Sequence, residues 1–234
     1  MVEGVKLVEE ALAASAPIEA LYWSTGAPAE LVERAHAGGL RVFQLADDVL
    51  GRVADAVTPQ PVMAVVRMVP SGLDRLRQAS MVLVCDEVRD PGNGGTLLRT
   101  ARAAGADGVV WCRSSVDVHN PKTVRASAGA LFRLPVVVDA EPGPALSQLA
   151  AWGLHRLAAV PEGGRDYAAM DLTRPFALMV GNEAHGLGPR QLELVDELVT
   201  VPMAGGTESL NVGMATAVIC FEAARQRRLA GVGG

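Results

Sequence analysis

The chain has 234 residues, half of them apolar, and a formal net charge of −5. That length allows two modest domains and that apolar content a packed core, and no apolar run approaches the about eighteen residues of a membrane span. Cys85, Cys112 and Cys220 are too scattered, and odd in number, for a disulfide framework or a metal site.

The start, Met1-Val2-Glu3-Gly4, lacks the basic and apolar regions of a secretion signal, so a reducing cytoplasm is the expected compartment and small buried hydrophobes the expected role of the thiols. The acidic balance runs against a broad nucleic-acid surface. Yet all of the 21 basic residues except Lys6 and Lys122 are arginine, and several stand beside glycine-rich loops. Arginine keeps its charge when partly buried and holds phosphate through a planar fork, so the composition permits a local RNA site.

In chain order, Val5, Val8 and Leu12 sit at helical spacing, and Ile18–Trp23 reads as a strand. A helix is predicted from Pro28 to His36, stopped by Gly38-Gly39, then a strand over Leu40–Leu45. A short helix over Asp47–Ala54 and a strand over Val62–Met68 complete a small α/β unit of about seventy residues, taken as residues 1–70. Pro70-Ser71-Gly72 opens a linker through residue 77. Beyond it, strands are predicted at Met81–Cys85, Gly108–Cys112, Leu154–Val160, Ala177–Gly181 and Leu198–Pro202. Helices are predicted at Gly94–Ala104, Pro144–Trp152, Pro189–Val195 and Asn211–Leu229. Strands alternating with helices imply a mostly parallel sheet covered on both faces, here over residues 78–234.

Ligands of open α/β sheets bind at the carboxyl ends of strands, so the strand-to-helix loops carry the functional question. The first is Asp90-Pro91-Gly92-Asn93-Gly94-Gly95-Thr96-Leu97-Leu98-Arg99. It is no dinucleotide fingerprint, because Leu97 stands at the third glycine position, and no phosphate loop, because no Gly-Lys-Ser/Thr follows. Its bland reading is a glycine turn followed by a solvated arginine. In the second loop, Met179-Val180-Gly181-Asn182-Glu183-Ala184-His185-Gly186-Leu187, an apolar strand delivers a carboxylate to the sheet edge, with His185 read as an ordinary loop residue. The third, Val201-Pro202-Met203-Ala204-Gly205-Gly206-Thr207-Glu208-Ser209-Leu210-Asn211, opens an alanine-rich helix for which Ser209 is the expected N-cap.

Together these loops resemble the three signature motifs of the SpoU (TrmH-type) branch of the SPOUT methyltransferases. The segment Asn120-Pro121-Lys122-Thr123-Val124-Arg125-Ala126-Ser127-Ala128-Gly129-Ala130-Leu131-Phe132 is similar to the family's stretch between motifs one and two. Four matches in order, from Met81 to Arg225, make the resemblance specific. Glu3 to Glu10 is also similar to the start of a ribosomal-protein-like, RNA-holding domain that many members carry in front, although those members usually have a longer basic stretch before it.

The resemblance implies a SPOUT-type parallel sheet with a carboxyl-terminal trefoil knot, a feature no strand periodicity could indicate. It implies a homodimer packed through the knot, with an arginine of one subunit working near cofactor of the other. The helix bearing Met214, Ala217, Val218 and Phe221 suits that interface or an internal core. It implies S-adenosylmethionine as cofactor, held by loops around Val160, Gly181, Val201, Met203 and Leu210. The implied reaction methylates a ribose 2′-hydroxyl of RNA. Arg99 is expected at the hydroxyl, Asn93 to fix the ribose or Arg99, Glu183 to position Arg99 or shape the loop, and Ser209 and Asn211 to complete the pocket. In the family such an arginine is proposed to help deprotonate the hydroxyl, but a group with pKa above about 12 is a poor base, so orientation and anion stabilisation rank first. Lys122 and Arg125 are candidate phosphate contacts, against the plainer reading of a solvated helix face; Arg133, Arg52 and Arg41 are weaker ones.

Ribosomal RNA is the expected substrate, because the tRNA-specific relatives often use terminal extensions instead of this front domain. The alternatives are a tRNA methyltransferase, a catalytically silent RNA-binding protein on the same fold, and a nicotinamide oxidoreductase, which the missing third glycine disfavours.

Overall fold

The computed structural model describes residues 1–53, 59–69, 71–205 and 209–231. Ala54, Pro70 and the Gly206-Thr207-Glu208 part of the third loop, which figured in the expected elements, lie outside the described residues. The chain forms two compact units, Met1–Val69 with Ala128–Arg133, and Pro70–Ser127 with Leu134–Gly234.

The first unit runs β1 (Val2–Glu3), α1 (Val5–Ala13), β2 (Ile18–Trp23), α2 (Ala29–Ala37), β3 (Val42–Gln44), α3 (Asp47–Val53) and β4 (Val62–Val66). Its sheet has the order β1-β4-β2-β3, with β4 antiparallel to both neighbours and β2 parallel to β3. Leu7, Val8 and Ala11 of α1 and Leu31, Val32 and Ala35 of α2 are buried, the one-sided stripe that a helix lays on a sheet. Gly39, at φ +74°, takes the left-handed position just past α2, where a glycine carries no steric cost. In the appended segment, the Arg133 guanidinium donates twice to Glu10 Oε2, at 3.2 and 3.1 Å.

The second unit comprises β5 (Met81–Cys85), α4 (Pro91–Ala103), β6 (Gly108–Cys112), α5 (Pro121–Ala126), β7 (Val136–Ala140), α6 (Pro142–Ala151), β8 (His155–Ala159), β9 (Arg165–Asp166), β10 (Phe176–Val180), α7 (Pro189–Leu192), β11 (Glu197–Thr200) and α8 (Val212–Ala230). Every strand pair is parallel, in the order β7-β6-β5-β10-β8-β11-β9. The chain thus leaves a gap beside β5 when it lays down β8, and β10 fills that gap later.

All residues of β5, β6 and β10 are buried, which is why these strands read as unbroken apolar runs rather than alternations. Val82, Val84, Val110, Ala177 and Met179 form one core with Ala145, Leu146 and Leu149 of α6. The alternate residues point to the other face. There Trp111 reaches Gly94 of α4, and α4 packs on α5 and α8. The three thiols are buried. Burial pushes those of Cys112 and Cys220 up to about 12, and Cys85 also moves well above its usual value, chiefly through burial, so all three stay protonated packing groups.

Several boundaries differ from expectation. Helix α4 starts at Pro91, three residues before the predicted Gly94, because Asp90 caps it through Oδ1 to the Asn93 N–H (2.8 Å) and proline suits the first helical position. Its glycines are therefore helical rather than a turn. A Cβ on Gly95 would fall 2.3 Å from the Ala126 Cβ, so the residue's smallness lets α4 and α5 meet. Helix α8 is capped by Asn211, not Ser209: Asn211 Oδ1 accepts from the N–H groups of Gly213 (2.9 Å) and Met214 (3.4 Å). Helix α7 ends at Leu192 rather than Val195, as the chain turns to give the Asp196 N–H to the Arg156 carbonyl before β11. Strands β1 and β9, of two residues each, are too short to leave a pattern. The edge strand β7 is not among the predicted strands: its apolar run is only Val136–Val138 and is broken by Asp139, which sits at φ +56°.

Candidate active site

Strands β10, β8 and β11 lie side by side, so their parallel register brings Gly181, Val160 and Val201 to the same carboxyl edge. The Val160 N–H donates to the Val199 carbonyl (2.9 Å), and Thr200 Oγ1 donates to the Val160 carbonyl (3.1 Å), tying two of those ends together. After Gly181 the chain folds on itself: Asn182 and Gly186 exchange backbone hydrogen bonds of 3.1 and 3.0 Å. A Cβ on Gly181 would come 2.6 Å from the Gly186 carbonyl oxygen, so this turn needs glycine. Val160, Val201 and Met203 are half-buried, and Leu210 is 36% exposed. These apolar side chains beside strand-end backbone groups suit an aromatic base with a polar edge, which is what an S-adenosylmethionine adenine presents.

One polar network joins the three loops. Glu183 Oε1 accepts from the Asp90 N–H (3.0 Å) and Asn93 Nδ2 (3.1 Å), and Oε2 accepts from the Arg89 N–H (3.2 Å). Asn93 Oδ1 accepts in turn from Asn211 Nδ2 (2.9 Å), whose other side-chain atom caps α8. Burial raises the cost of the Glu183 charge, but the hydrogen bonds from Asn93, from the Asp90 and Arg89 backbone and from its own N–H outweigh it and hold the carboxyl below its ordinary value. Glu183 is thus engaged with the first loop; no hydrogen bond joins it to Arg99. Against α4, a Cβ on Gly213 would come 2.8 Å from the Thr96 methyl, so α8 seats closely on the same helix.

Arg99 lies six residues along α4 from Asn93, exposed and without a hydrogen bond or ion pair to any described residue. Its charge is therefore free for a ligand. Ser209 is exposed and stands outside the network. On α5, capped by Asn120, Lys122 is exposed and Arg125 half-exposed, and neither side chain pairs with a described residue. Of the weaker candidates, Arg52 pairs with Asp48 and Arg133 with Glu10, while Arg41 donates through Nε to the Glu19 carbonyl (3.1 Å).

Three participants were not singled out from sequence. Asn182 donates through Nδ2 to the Glu87 carbonyl (3.0 Å) and accepts through Oδ1 from the N–H groups of Ala184 and His185, an Asx turn that Asn just after a strand could have signalled. Glu87 itself sits at φ +53°, a strained position for its residue type, with its carboxylate 3.3 Å from His185 Nε2. Asp86, only 2% exposed, accepts from Ser114 Oγ (2.7 Å) and Gln191 Nε2 (3.2 Å). No sequence signal pairs those three.

The chain is similar to known proteins over both units. The SpoU rRNA Methylase family model matches residues 80–221, and the MRM3-like substrate binding domain model matches residues 1–64. A relative from Bacillus subtilis, the 23S rRNA (guanosine(2553)-2′-O)-methyltransferase RlmP, is 36% identical over 94% of this chain and 86% of its own length. The crystal structure of the SpoU methyltransferase AviRb from Streptomyces viridochromogenes in complex with AdoMet superposes with a TM-score of 0.87 at 31% identity, covering 97% of this chain and 90% of that one. AdoMet-bound rRNA methyltransferase from Sinorhizobium meliloti superposes at 0.83, also at 31% identity, over 97% and 86% of the two chains.

Proposed function

The chain belongs to the SpoU rRNA methylase family, and from that premise we propose how its residues divide the work of methylating RNA. It is an S-adenosylmethionine-dependent RNA 2′-O-ribose methyltransferase with a SPOUT-type fold, and ribosomal RNA is the favoured substrate. When bound, S-adenosylmethionine supplies a methyl already activated by its sulfonium, so the protein's task is alignment and removal of one proton. Val160, Gly181, Val201, Met203 and Leu210 hold the cofactor at the carboxyl edge.

Arg99 directs the ribose 2′-hydroxyl and stabilises the negative charge that develops on its oxygen as the methyl is transferred from sulfur, while the hydroxyl proton passes to solvent water. Its guanidinium offers five donors and no acceptor, which suits that role better than proton abstraction. Glu183, Asn93 and Asn211 are positioning residues: they fix the first loop, and with it the start of the helix that carries Arg99. Ser209 lines the entrance beside Leu210. Lys122 and Arg125 contact phosphates of the bound RNA. The observation that carries this reading is the Asn211–Asn93–Glu183 chain of hydrogen bonds, which links all three loops within α4's first turn and leaves Arg99 unengaged.

Residues 1–70 act as the RNA-holding domain, residues 71–77 as the linker and residues 78–234 as the catalytic domain. The front-domain model matched at residues 1–64 supports that division. The late insertion of β10 between β5 and β8 supports a knotted carboxyl-terminal part. Met214, 61% exposed, and Phe221, 50% exposed, give α8 an outward apolar stripe, and a second copy of the chain covers it in a homodimer. Among the described residues no helix is long and apolar enough to cross a membrane, and the cytoplasm, where rRNA is modified, is the proposed compartment.

The direct test supplies labelled S-adenosylmethionine with purified rRNA or tRNA and reads ribose methylation by mass spectrometry. Label in a 2′-O-methyl nucleotide of rRNA is the expected result. Label confined to tRNA would overturn the substrate, and none in either RNA despite cofactor binding would favour a silent RNA-binding protein.

A further inference from the structure

The first unit carries an aromatic pair that its own core does not absorb. Tyr22 of β2 and Phe43 of β3 are registered partners across parallel strands, and their rings stack with centroids 5.5 Å apart and planes 21° from parallel. Strand β3 is the outermost in the order β1-β4-β2-β3, so one face of the Phe43 ring meets Tyr22 and the other has no strand beyond it. Phe43 is accordingly 45% exposed, far more than a core phenylalanine. Two residues earlier, just ahead of β3, stands Arg41, whose carbonyl accepts the Leu21 N–H (2.8 Å) and so continues the β2–β3 ladder, an extended geometry in which alternation puts it on the Phe43 face. Its Nε bonds to the Glu19 carbonyl (3.1 Å), which fixes the side chain across β2 while its two terminal nitrogens bond to no described residue.

We propose that Phe43, backed by Tyr22, is a stacking platform for one unpaired nucleobase of the RNA substrate, with Arg41 holding an adjacent phosphate. The assignment rests on the reading of the first unit as the RNA-holding domain and adds to it a place and a chemistry. An exposed ring braced from behind by a second ring loses little freedom when a base stacks on it, and any base has a π face to offer. Single-stranded loops and bulges present such bases, whereas paired RNA does not. The preset guanidinium supplies the charge that an apolar protein partner would leave unmatched, and so selects a polyanion.

The full-length chain tests this with a short single-stranded RNA containing 5-bromouridine and with a 23S rRNA transcript. Phe43→Ala should weaken binding of the short RNA by about five- to hundredfold. On the transcript it should raise KM for RNA while kcat and S-adenosylmethionine affinity hold. Phe43→Trp should restore binding, which loss of a merely structural side chain would not predict. Arg41→Gln should weaken binding and reduce the slope of log affinity against log salt by about 0.7, the loss of one single-strand phosphate contact. Irradiation should crosslink 5-bromouridine to the peptide containing Phe43. Unchanged affinity in Phe43→Ala, or crosslinks that map only elsewhere, would overturn the platform. Failure of the wild-type chain to methylate rRNA while it still binds and crosslinks would instead overturn the substrate reading and leave the platform standing.

Discussion

Helix α8 is held at both ends by polar networks, and the two differ in kind. At its amino end, Asn211 bonds to Asn93, and Asn93 to Glu183; the groups are partly exposed, and Arg99 stands free on the helix they steady. At its carboxyl end, Arg227 is only 8% exposed. Its guanidinium donates to the carbonyls of Leu172 (3.0 Å), Ser80 (2.8 Å) and Arg174 (3.1 Å) and to Ser80 Oγ (2.9 Å), and lies 5.2 Å from the centre of the Phe176 ring. Burial lowers its pKa, with the Asp107 carboxylate opposing, and Asp107 also receives the N–H groups of Ser80 and Met81. With four of its five donors engaged by three carbonyls and a hydroxyl, this buried guanidinium is committed to the protein interior rather than to a ligand. The network at one end thus leaves the neighbouring Arg99 of α4 free for the proposed chemistry, whereas at the other end Arg227 of α8 itself is consumed in holding the helix in place.

Substitutions that separate activity from stability sharpen that contrast. Arg99→Ala carries the largest expected effect: kcat should fall by about 10²–10³, as when an oxyanion donor is removed, with cofactor affinity and melting temperature unchanged. Near-normal turnover would break the assignment. Leu210→Arg should weaken S-adenosylmethionine binding by roughly a hundredfold, since a charge would then border the apolar side of the proposed cofactor site; calorimetry showing retained affinity would remove Leu210 from it. Arg227→Ala should leave kcat per folded molecule intact and lower stability by about 3 kcal/mol, because buried carbonyls lose a charged donor and a cavity opens. Denaturant titration measures this, and a variant as stable as wild type would make the two ends alike.

Asn211→Ala loses both the α8 cap and the Asn93 bond, so a stability loss of about 1 kcal/mol should accompany reduced kcat. Smallest is the pH effect of Glu183. Its carboxyl is held below the ordinary 4.5, so its stabilisation is complete above that value and is lost as pH falls through the lower folded value. Glu183→Gln should therefore be the less stable protein at neutral pH, and its difference from wild type should shrink in acid. A difference that stays constant from neutral pH into acid would mean that the charge contributes nothing.

The sequence by itself determined the local pieces. Ile18–Trp23, Met81–Cys85 and Gly108–Cys112 were readable as strands to the residue, since continuous or alternating apolar character between turn residues is a local signal. The three loops were readable as a set, because motif order survives in one dimension. What no window of sequence holds is partnership. Asp90 and Asn211, rather than Gly94 and Ser209, set where α4 and α8 begin, a matter of which side-chain oxygen reaches a free N–H. Glu183 meets Asp90 across 93 residues, and Arg227 meets Ser80 across 147. The Tyr22–Phe43 pair exists only because β3 docks in register beside β2. Hydrophobic periodicity is a property of each segment and can be read alone; a hydrogen bond or a ring stack is a property of two segments, and only tertiary packing decides which two meet.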